Sequence, residues 1–183
     1  MEGLTLNKCL INCKITKPYY RGIYSIDTIP KSKVFIKPYF YVINTDISEG
    51  DGKHWILIFF PNARTAEIFD SLGQSPFAYH HAFREYLNAR PDWMISYNNK
   101  RIQSLNSNVC GAHCLFFAYK KCSKKYGLST LINRYYIDDE DFNDCAVLHF
   151  AKQKFRIKPA LIRLMIDSVP HCIIKSCNKI KNE

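Results

Sequence analysis

The chain has 183 residues, of which 47% are hydrophobic and 14% aromatic. This length and composition predict one globular domain over residues 1–183 and exclude a disordered chain. The formal net charge is +10, from 26 Lys and Arg against 16 Asp and Glu. Such an excess predicts an anionic partner, with nonspecific DNA binding through a basic surface as the first candidate and simple solubility as the alternative.

No membrane partner is expected, because no apolar run approaches the roughly 20 residues that span a bilayer and the N-terminus lacks a secretory signal. The eight cysteines therefore predict reduced thiols inside the cell rather than a disulfide framework. Four potential metal ligands fall within 13 residues: Cys110, His113, Cys114 and Cys122. They share one predicted helix, where four ligands cannot converge on zinc, so no metal is expected.

The first half of the chain contains the predicted strands. Residues 1–38 include several prolines and lysines and predict loops and short elements. β-Branched and aromatic residues predict a strand over 39–44, and a polar turn with two glycines follows over 46–53. Residues 54–60 are nearly all apolar, which predicts a buried strand, and 65–69 form the return strand of a hairpin.

The second half predicts helices. Apolar residues recur at helical spacing over 77–89, and a short strand is predicted over 93–97. The strongest helix covers 109–126, and two more are predicted over 138–155 and 159–169, within a C-terminal helical part that begins at about residue 128. Strands followed by helices predict an α+β fold.

Cys110 enters the strongest predicted helix. The oriented amides of a first helical turn favour a thiolate over a thiol, which activates a cysteine as a nucleophile. Gly111 has no side chain to obstruct a substrate, and Ser107 or Asn108 is the predicted N-cap. The alternative is that Cys110 is a small buried hydrophobic residue, which is the commonest role of a free cysteine.

His54 and Asp70 lie at two ends of the predicted hairpin. The two residues are 16 apart with a turn near the midpoint, so a hairpin returns both ends to the same edge. His54 would then be a general base, and Asp70 would contact its Nδ1 and fix the tautomer. Glu67 is the rival carboxylate but points to the opposite face of its strand. A turn-forming aspartate is the alternative for Asp70.

Gln103 precedes Cys110 by seven residues in a polar segment. Its amide is predicted to donate an N–H to a developing oxyanion, together with the backbone N–H of Cys110. A solvated glutamine is the alternative. Histidine, carboxylate, amide and thiol, in that order along the chain, are the parts of a cysteine acyl-transfer site.

Four short segments carry a resemblance to a known family: VINT at 42–45, GKHW at 52–55, FDSLG at 69–73 and QSLNSNVCG at 103–111. They resemble the adenovirus-type (adenain-like) cysteine proteases, of the same clan as the proteases that process SUMO and other ubiquitin-like modifiers. The resemblance extends from about residue 20 to residue 119, a little over half of the chain.

The resemblance implies a papain-like fold with a central mixed sheet flanked by helices and a nucleophile at the N-terminus of a central helix. It implies catalytic roles for Cys110 as nucleophile, His54 as base, Asp70 as acidic partner and Gln103 as oxyanion donor. Adenoviral enzymes usually carry Glu at the position of Asp70. They also tether an activating peptide through a cysteine upstream of the glutamine, and residues 91–102 contain none.

The implied function is that of a viral endopeptidase that cleaves virion precursor polypeptides during maturation, after glycine. Such a protein would be found in the virion and in the host nucleus or cytoplasm, and we expect a monomer. The chemistry needs no cofactor, although activation by DNA or by a non-covalently held peptide is an open alternative.

Three other functions are compatible with the same residues. An isopeptidase acting on ubiquitin-like proteins would share the fold and the triad. An acetyltransferase would use Cys110 as an acyl carrier. A nonenzymatic DNA-binding virion protein would need none of the four site residues.

Overall fold

The computed structural model describes residues 1–31 and 38–157. Its strands are β1 (Tyr20–Ser25), β2 (Tyr39–Asn44), β3 (Trp55–Asn62), β4 (Thr65–Phe69) and β5 (Met94–Tyr97). Its helices are α1 (Gly3–Asn12), α2 (His81–Asn88), α3 (Cys110–Lys124), α4 (Leu128–Tyr135) and α5 (Glu140–Phe155), with a 3-10 turn at Pro76–Ala78. The helix predicted over 159–169 lies outside the described residues.

The five strands form one sheet in the order β1-β2-β3-β4-β5. The inner pairs β2–β3 and β3–β4 are antiparallel, and the outer pairs β1–β2 and β4–β5 are parallel. The prediction of an α+β fold with a central mixed sheet flanked by helices is therefore confirmed at this level.

Alternate residues of the strands face two separate cores. Phe40 and Val42 of β2 pack in the larger core, which contains residues of α1, α3, α4 and α5. Tyr41 and Ile43 point the other way, into a smaller core with α2. This alternation follows from the two-residue period of a strand and buries the central strands on both faces.

Helix α3 is the central element of the larger core. Phe117 stacks on Phe69 of β4, with ring centroids 4.2 Å apart and planes 12° apart. One turn further, Lys121 is only 4% exposed, pairs with Glu67 of β4 and donates from Nζ to Tyr126 O at 2.6 Å. These contacts align α3 with β4.

Several predicted boundaries were wrong. The short elements expected in the first 38 residues are α1 and β1. Helix α4 begins at Leu128, where the C-terminal helical part was predicted to begin, although no separate helix was predicted before residue 138. The helix predicted over 77–89 is divided, because His80 Nδ1 accepts from Ala82 N at 3.3 Å and starts α2 only at His81. The N-cap residue of α3 is Val109, without a side-chain cap.

The structure bears on the cysteines and on the candidate metal ligands. Cys145 is disulfide-bonded, so the expectation of fully reduced thiols was wrong for it. In residues 1–31 and 38–157, no group of three or more His, Cys, Asp or Glu side chains is placed to hold a metal ion. Over the same residues, none of the helices has the length and apolar character needed to cross a membrane.

We predict that Phe117→Ala lowers the free energy of unfolding by about 3–5 kcal/mol, because it leaves a cavity beside Phe69. Phe77→Ala is the control, since Phe77 is 42% exposed, and it should change stability by no more than about 0.5 kcal/mol. Urea unfolding followed by circular dichroism measures both. Equal losses in the two variants would contradict the packing described here.

Candidate active site

His54 and Asp70 meet where the β3–β4 hairpin ends. His54 directly precedes β3, and Asp70 directly follows β4. The register pairs Leu57 with Phe69, which brings the two flanking residues to the same edge of the sheet. His54 Nε2 lies 2.7 Å from Asp70 Oδ1. The pairing was predicted, but through Nδ1, because sequence spacing brings two residues together without fixing the rotation of the ring.

Asp70 is held from all sides and is 1% exposed. Its Oδ1 also accepts from Leu72 N at 2.8 Å, and its Oδ2 accepts from Gln74 N at 3.0 Å and from the Tyr79 hydroxyl at 2.6 Å. A carboxylate with this many donors is fixed in one orientation. Tyr79 was missed by the sequence analysis, since no periodicity or spacing relates it to Asp70.

The turn after Asp70 depends on a glycine. Gly73 has φ +67°, and a Cβ there would lie 2.6 Å from the carbonyl carbon of Lys100. The same turn is joined to the end of β5 by Asn98, whose Oδ1 accepts from Asp70 N at 2.9 Å and whose Nδ2 donates to Asp70 O at 2.6 Å. The backbone on both sides of the carboxylate is therefore fixed.

Cys110 is the first residue of α3 and is 8% exposed. Its sulfur shares the cleft with His54 and Trp55, and the His54 side chain and the Trp55 backbone both lower the pKa of the thiol. Since His54 Nε2 is used by Asp70, Nδ1 is the ring nitrogen left for the thiol. The predicted open space beside Gly111 is filled, because a Cβ at Gly111 would lie 2.9 Å from Met1 Cβ.

These contacts shift the pKa values of Cys110 and His54 in opposite directions. Burial alone would raise the pKa of Cys110, but the hydrogen bond and positive charge of His54 outweigh it and lower that pKa. Burial alone would lower the pKa of His54, but Asp70 and Cys110 raise it to about 9. Burial also opposes ionisation of Asp70, yet His54 and Tyr79 lower its pKa. The three groups therefore favour a thiolate–imidazolium pair.

Gln103 is 2% exposed, and its amide has a defined orientation. Its Nε2 donates to Ser107 O at 2.8 Å, and its Oε1 accepts from the Ser71 hydroxyl at 2.6 Å. A carbonyl oxygen can only accept, so Nε2 must face Ser107. A primary amide has a second N–H, which is then available to an oxyanion.

The four predicted site residues lie at or directly beneath one cleft. His54, Gln103 and Cys110 line a cleft of about 740 Å³, together with Trp55 and Leu72. Asp70 lies beneath it, behind His54. The structure thus brings together all four residues selected from the sequence, with a donor pair suited to an oxyanion: the side chain of Gln103 and the first amide of α3, which has no intrahelical acceptor.

Two of the four residues considered for zinc have other partners. Cys110, His113, Cys114 and Cys122 all lie on α3. His113 pairs with Asp144, and Cys114 Sγ donates to Trp55 O at 3.4 Å.

Comparison with known proteins gives a distant match. No protein-family model matches the chain, and no curated protein matches it. Among solved structures, the chain is similar to the crystal structure of the ASFV pS273R protease, with 26% sequence identity and a TM-score of 0.44. The match covers 67% of this chain and 45% of that chain, so this chain spans less than half of that protein's length.

We predict that limiting iodoacetamide at pH 6 alkylates Cys110 selectively. Its pKa lies below the ordinary value, so its thiolate fraction at a given pH exceeds that of an ordinary thiol, whereas the pKa values of Cys9 and Cys122 are raised to about 11 and about 12. Mass mapping identifies the alkylated site. In His54→Ala the pH profile of Cys110 alkylation should move to higher pH. Alkylation of Cys9 at the rate of Cys110 would contradict the ion pair.

Proposed function

We propose that this protein is a viral cysteine endopeptidase, with Cys110 as nucleophile, His54 as acid and base, Asp70 as the residue that orients His54, and Gln103 as oxyanion donor. The observation that carries the proposal is the buried His54–Asp70 hydrogen bond, with His54, Cys110 and Gln103 all lining one cleft. Each group has the protonation tendency that its role requires.

In the first half of the reaction, the Cys110 thiolate bonds to the carbonyl carbon of the scissile peptide, and the electron pair moves onto the carbonyl oxygen. The N–H groups of Cys110 and Gln103 stabilise that oxyanion. The C–N bond then breaks as the His54 imidazolium gives its proton to the departing amine, which leaves a thioester on Cys110.

In the second half, water gives a proton to neutral His54 and its oxygen adds to the thioester carbon. The C–S bond breaks, the acid product leaves, and the thiolate–imidazolium pair forms again. Asp70 fixes the ring through Nε2 in both halves, so Nδ1 always faces the reacting atoms. Nδ1 gives up its proton in the first half and accepts the proton of water in the second.

We infer virion precursor polypeptides as substrates and cleavage after glycine, on the strength of the sequence motifs at 42–45, 52–55, 69–73 and 103–111. No cofactor enters the chemistry described above. An activating peptide would be held without a disulfide, since residues 91–102 contain no cysteine. We propose a monomer that acts in the virion and in the host nucleus or cytoplasm.

Hydrolysis of a library of quenched-fluorescent peptides that contain glycine tests the proposal. Cys110→Ala should abolish turnover, and Cys114→Ala, on the same helix, should retain it. Gln103→Ala should lower kcat by roughly 100-fold or more, as loss of one oxyanion donor does. Gln74→Ala is its control, because Gln74 contacts Asp70 through its backbone amide alone.

Other outcomes would redirect the assignment. Turnover confined to ubiquitin-like aldehyde or vinyl-sulfone probes would identify an isopeptidase. Turnover of acetyl-coenzyme A would identify an acyltransferase. Identical behaviour of Cys110→Ala and the unaltered protein in every assay would leave a nonenzymatic role.

We also propose that DNA binds to a basic patch formed by Lys120, Lys124, Lys152 and Lys154, at the C-terminal ends of α3 and α5. Burial and the charges of Lys124 and Lys154 lower the pKa of Lys120, which supports the proximity of the two helix ends. Along α3, Lys124 is about 21 Å from Cys110 at 1.5 Å per residue. DNA on the patch would therefore leave the cleft open to substrate.

Lys124→Glu should weaken binding to duplex DNA and reduce the slope of log K against log salt concentration by about 1, since each phosphate contact contributes about 0.9. Lys31→Glu is a matched charge reversal beside Arg90, which follows α2, and it should have the smaller effect. Fluorescence anisotropy over a salt series measures both. Equal effects would indicate a response to net charge and no defined patch.

A further inference from the structure

The mechanism leaves one buried polar pair unused. His113 and Asp144 have side chains that are 0% exposed, and His113 Nε2 lies 2.7 Å from Asp144 Oδ1. His113 Nδ1 has no hydrogen-bond partner among the described residues. An unpartnered buried N–H is more costly than an unpartnered lone pair, so the proton belongs on Nε2 and His113 donates to Asp144.

The second oxygen of Asp144 reaches the segment that carries the oxyanion donor. Asp144 Oδ2 accepts from Ser104 N at 3.3 Å, one residue after Gln103. The neighbouring Asn143 donates from Nδ2 to Ile102 O at 3.1 Å, one residue before Gln103. Helix α5 therefore holds the backbone immediately before and after Gln103.

Asn143 and Asp144 together form a clamp on the Gln103 segment, and His113 connects this clamp to the nucleophile. It follows Cys110 by three residues on α3, so its contact with Asp144 ties the start of the nucleophile's helix to α5. On the other side, Gln103 is held by Ser71, which accepts the Gln103 N–H at its backbone oxygen at 3.0 Å. On the α5 side, the buried side chains of Asp144 and His113 join the Gln103 segment to α3 by hydrogen bonds.

We propose that His113 and Asp144, assisted by Asn143, are positioning residues that hold Gln103 at its working distance from Cys110. This inference rests on the proposed function. Misplacement of a catalytic group by about 1 Å can cost about 100-fold in rate, so a buried tie that fixes the donor relative to the nucleophile favours the chemistry. The pair acts through Gln103 and does not touch the substrate.

Asp144→Asn is the principal test. Asp144 accepts on both oxygens, so an asparagine must turn its NH₂ group toward one of the two donors and lose that contact. We expect kcat for a glycine-containing peptide to fall at least about 10-fold, part of the effect of removing a donor. KM and the rate of Cys110 alkylation at pH 6 should stay within about twofold, because His54 and Asp70 are unaffected.

Two matched controls accompany it. Ser104→Ala should leave kcat unchanged, because Asp144 contacts the backbone amide of Ser104. In a Gln103→Ala background, Asp144→Asn should cause no further loss, since the residue through which it acts is gone. An unchanged kcat in Asp144→Asn, an equal fold-loss in both backgrounds, or a parallel loss of Cys110 alkylation would each overturn the proposal.

Substitutions at His113 provide an independent test if the Asp144→Asn variant does not fold. His113→Gln retains a donor near the Nε2 position and should keep most of the turnover, whereas His113→Leu lacks one and should lose at least about 10-fold in kcat. Equal activity of the two would overturn the role of the pair.

Failure of the proposed function can be distinguished from failure of the clamp. If the unaltered protein hydrolyses no peptide, amide hydrogen exchange still tests the clamp. Exchange at residues 102–104 should accelerate in Asp144→Asn while exchange within α3 is unchanged. Unaltered exchange at 102–104 would overturn the clamp whatever the activity.

Discussion

The hydrogen bond between His54 and Asp70 is the contact on which the other features of the site depend. It joins the two ends of the central hairpin at a buried position with little access to solvent, where an ionised pair is stable only with further hydrogen-bond donors. Leu72, Gln74 and Tyr79 supply these donors to Asp70. Because Nε2 is occupied, the ring presents Nδ1 to Cys110, and the opposite pKa shifts of thiol and imidazole follow from that single orientation.

The sheet explains why such a pair can be built from residues distant in sequence. The strands β3 and β4 are buried on both faces by two different cores, so their ends cannot shift relative to one another without disturbing both. Helix α3 lies against β4 through Phe117 and Lys121. The start of that helix is thereby set against the open end of the hairpin, and the thiol meets the imidazole there.

The sequence predicted the elements with strong patterns. The hairpin over residues 54–69 and the helix that begins at Cys110 followed from apolar runs and turns, and the four site residues followed from their places at element ends. The positions of α1 and β1 could not be predicted, because their few apolar residues form no clear periodic pattern and are buried only by packing with the rest of the sheet and its core. Tyr79 and the His113–Asp144 pair depend on tertiary contacts between residues with no fixed spacing. The ring nitrogen used by His54 depends on a side-chain rotation that no pattern encodes.

The hydrogen-bond donors to Asp70 differ in how far they depend on the identity of the residue that supplies them. Two of them are backbone amides, of Leu72 and Gln74, and any residue except proline supplies the same N–H. Positions 72 and 74 can therefore vary in related chains without loss of the carboxylate's support. Gly73 and Tyr79 have no such freedom, since one is fixed by backbone conformation and the other by its hydroxyl. Homologues should keep the residues at positions 73 and 79 and vary those at positions 72 and 74.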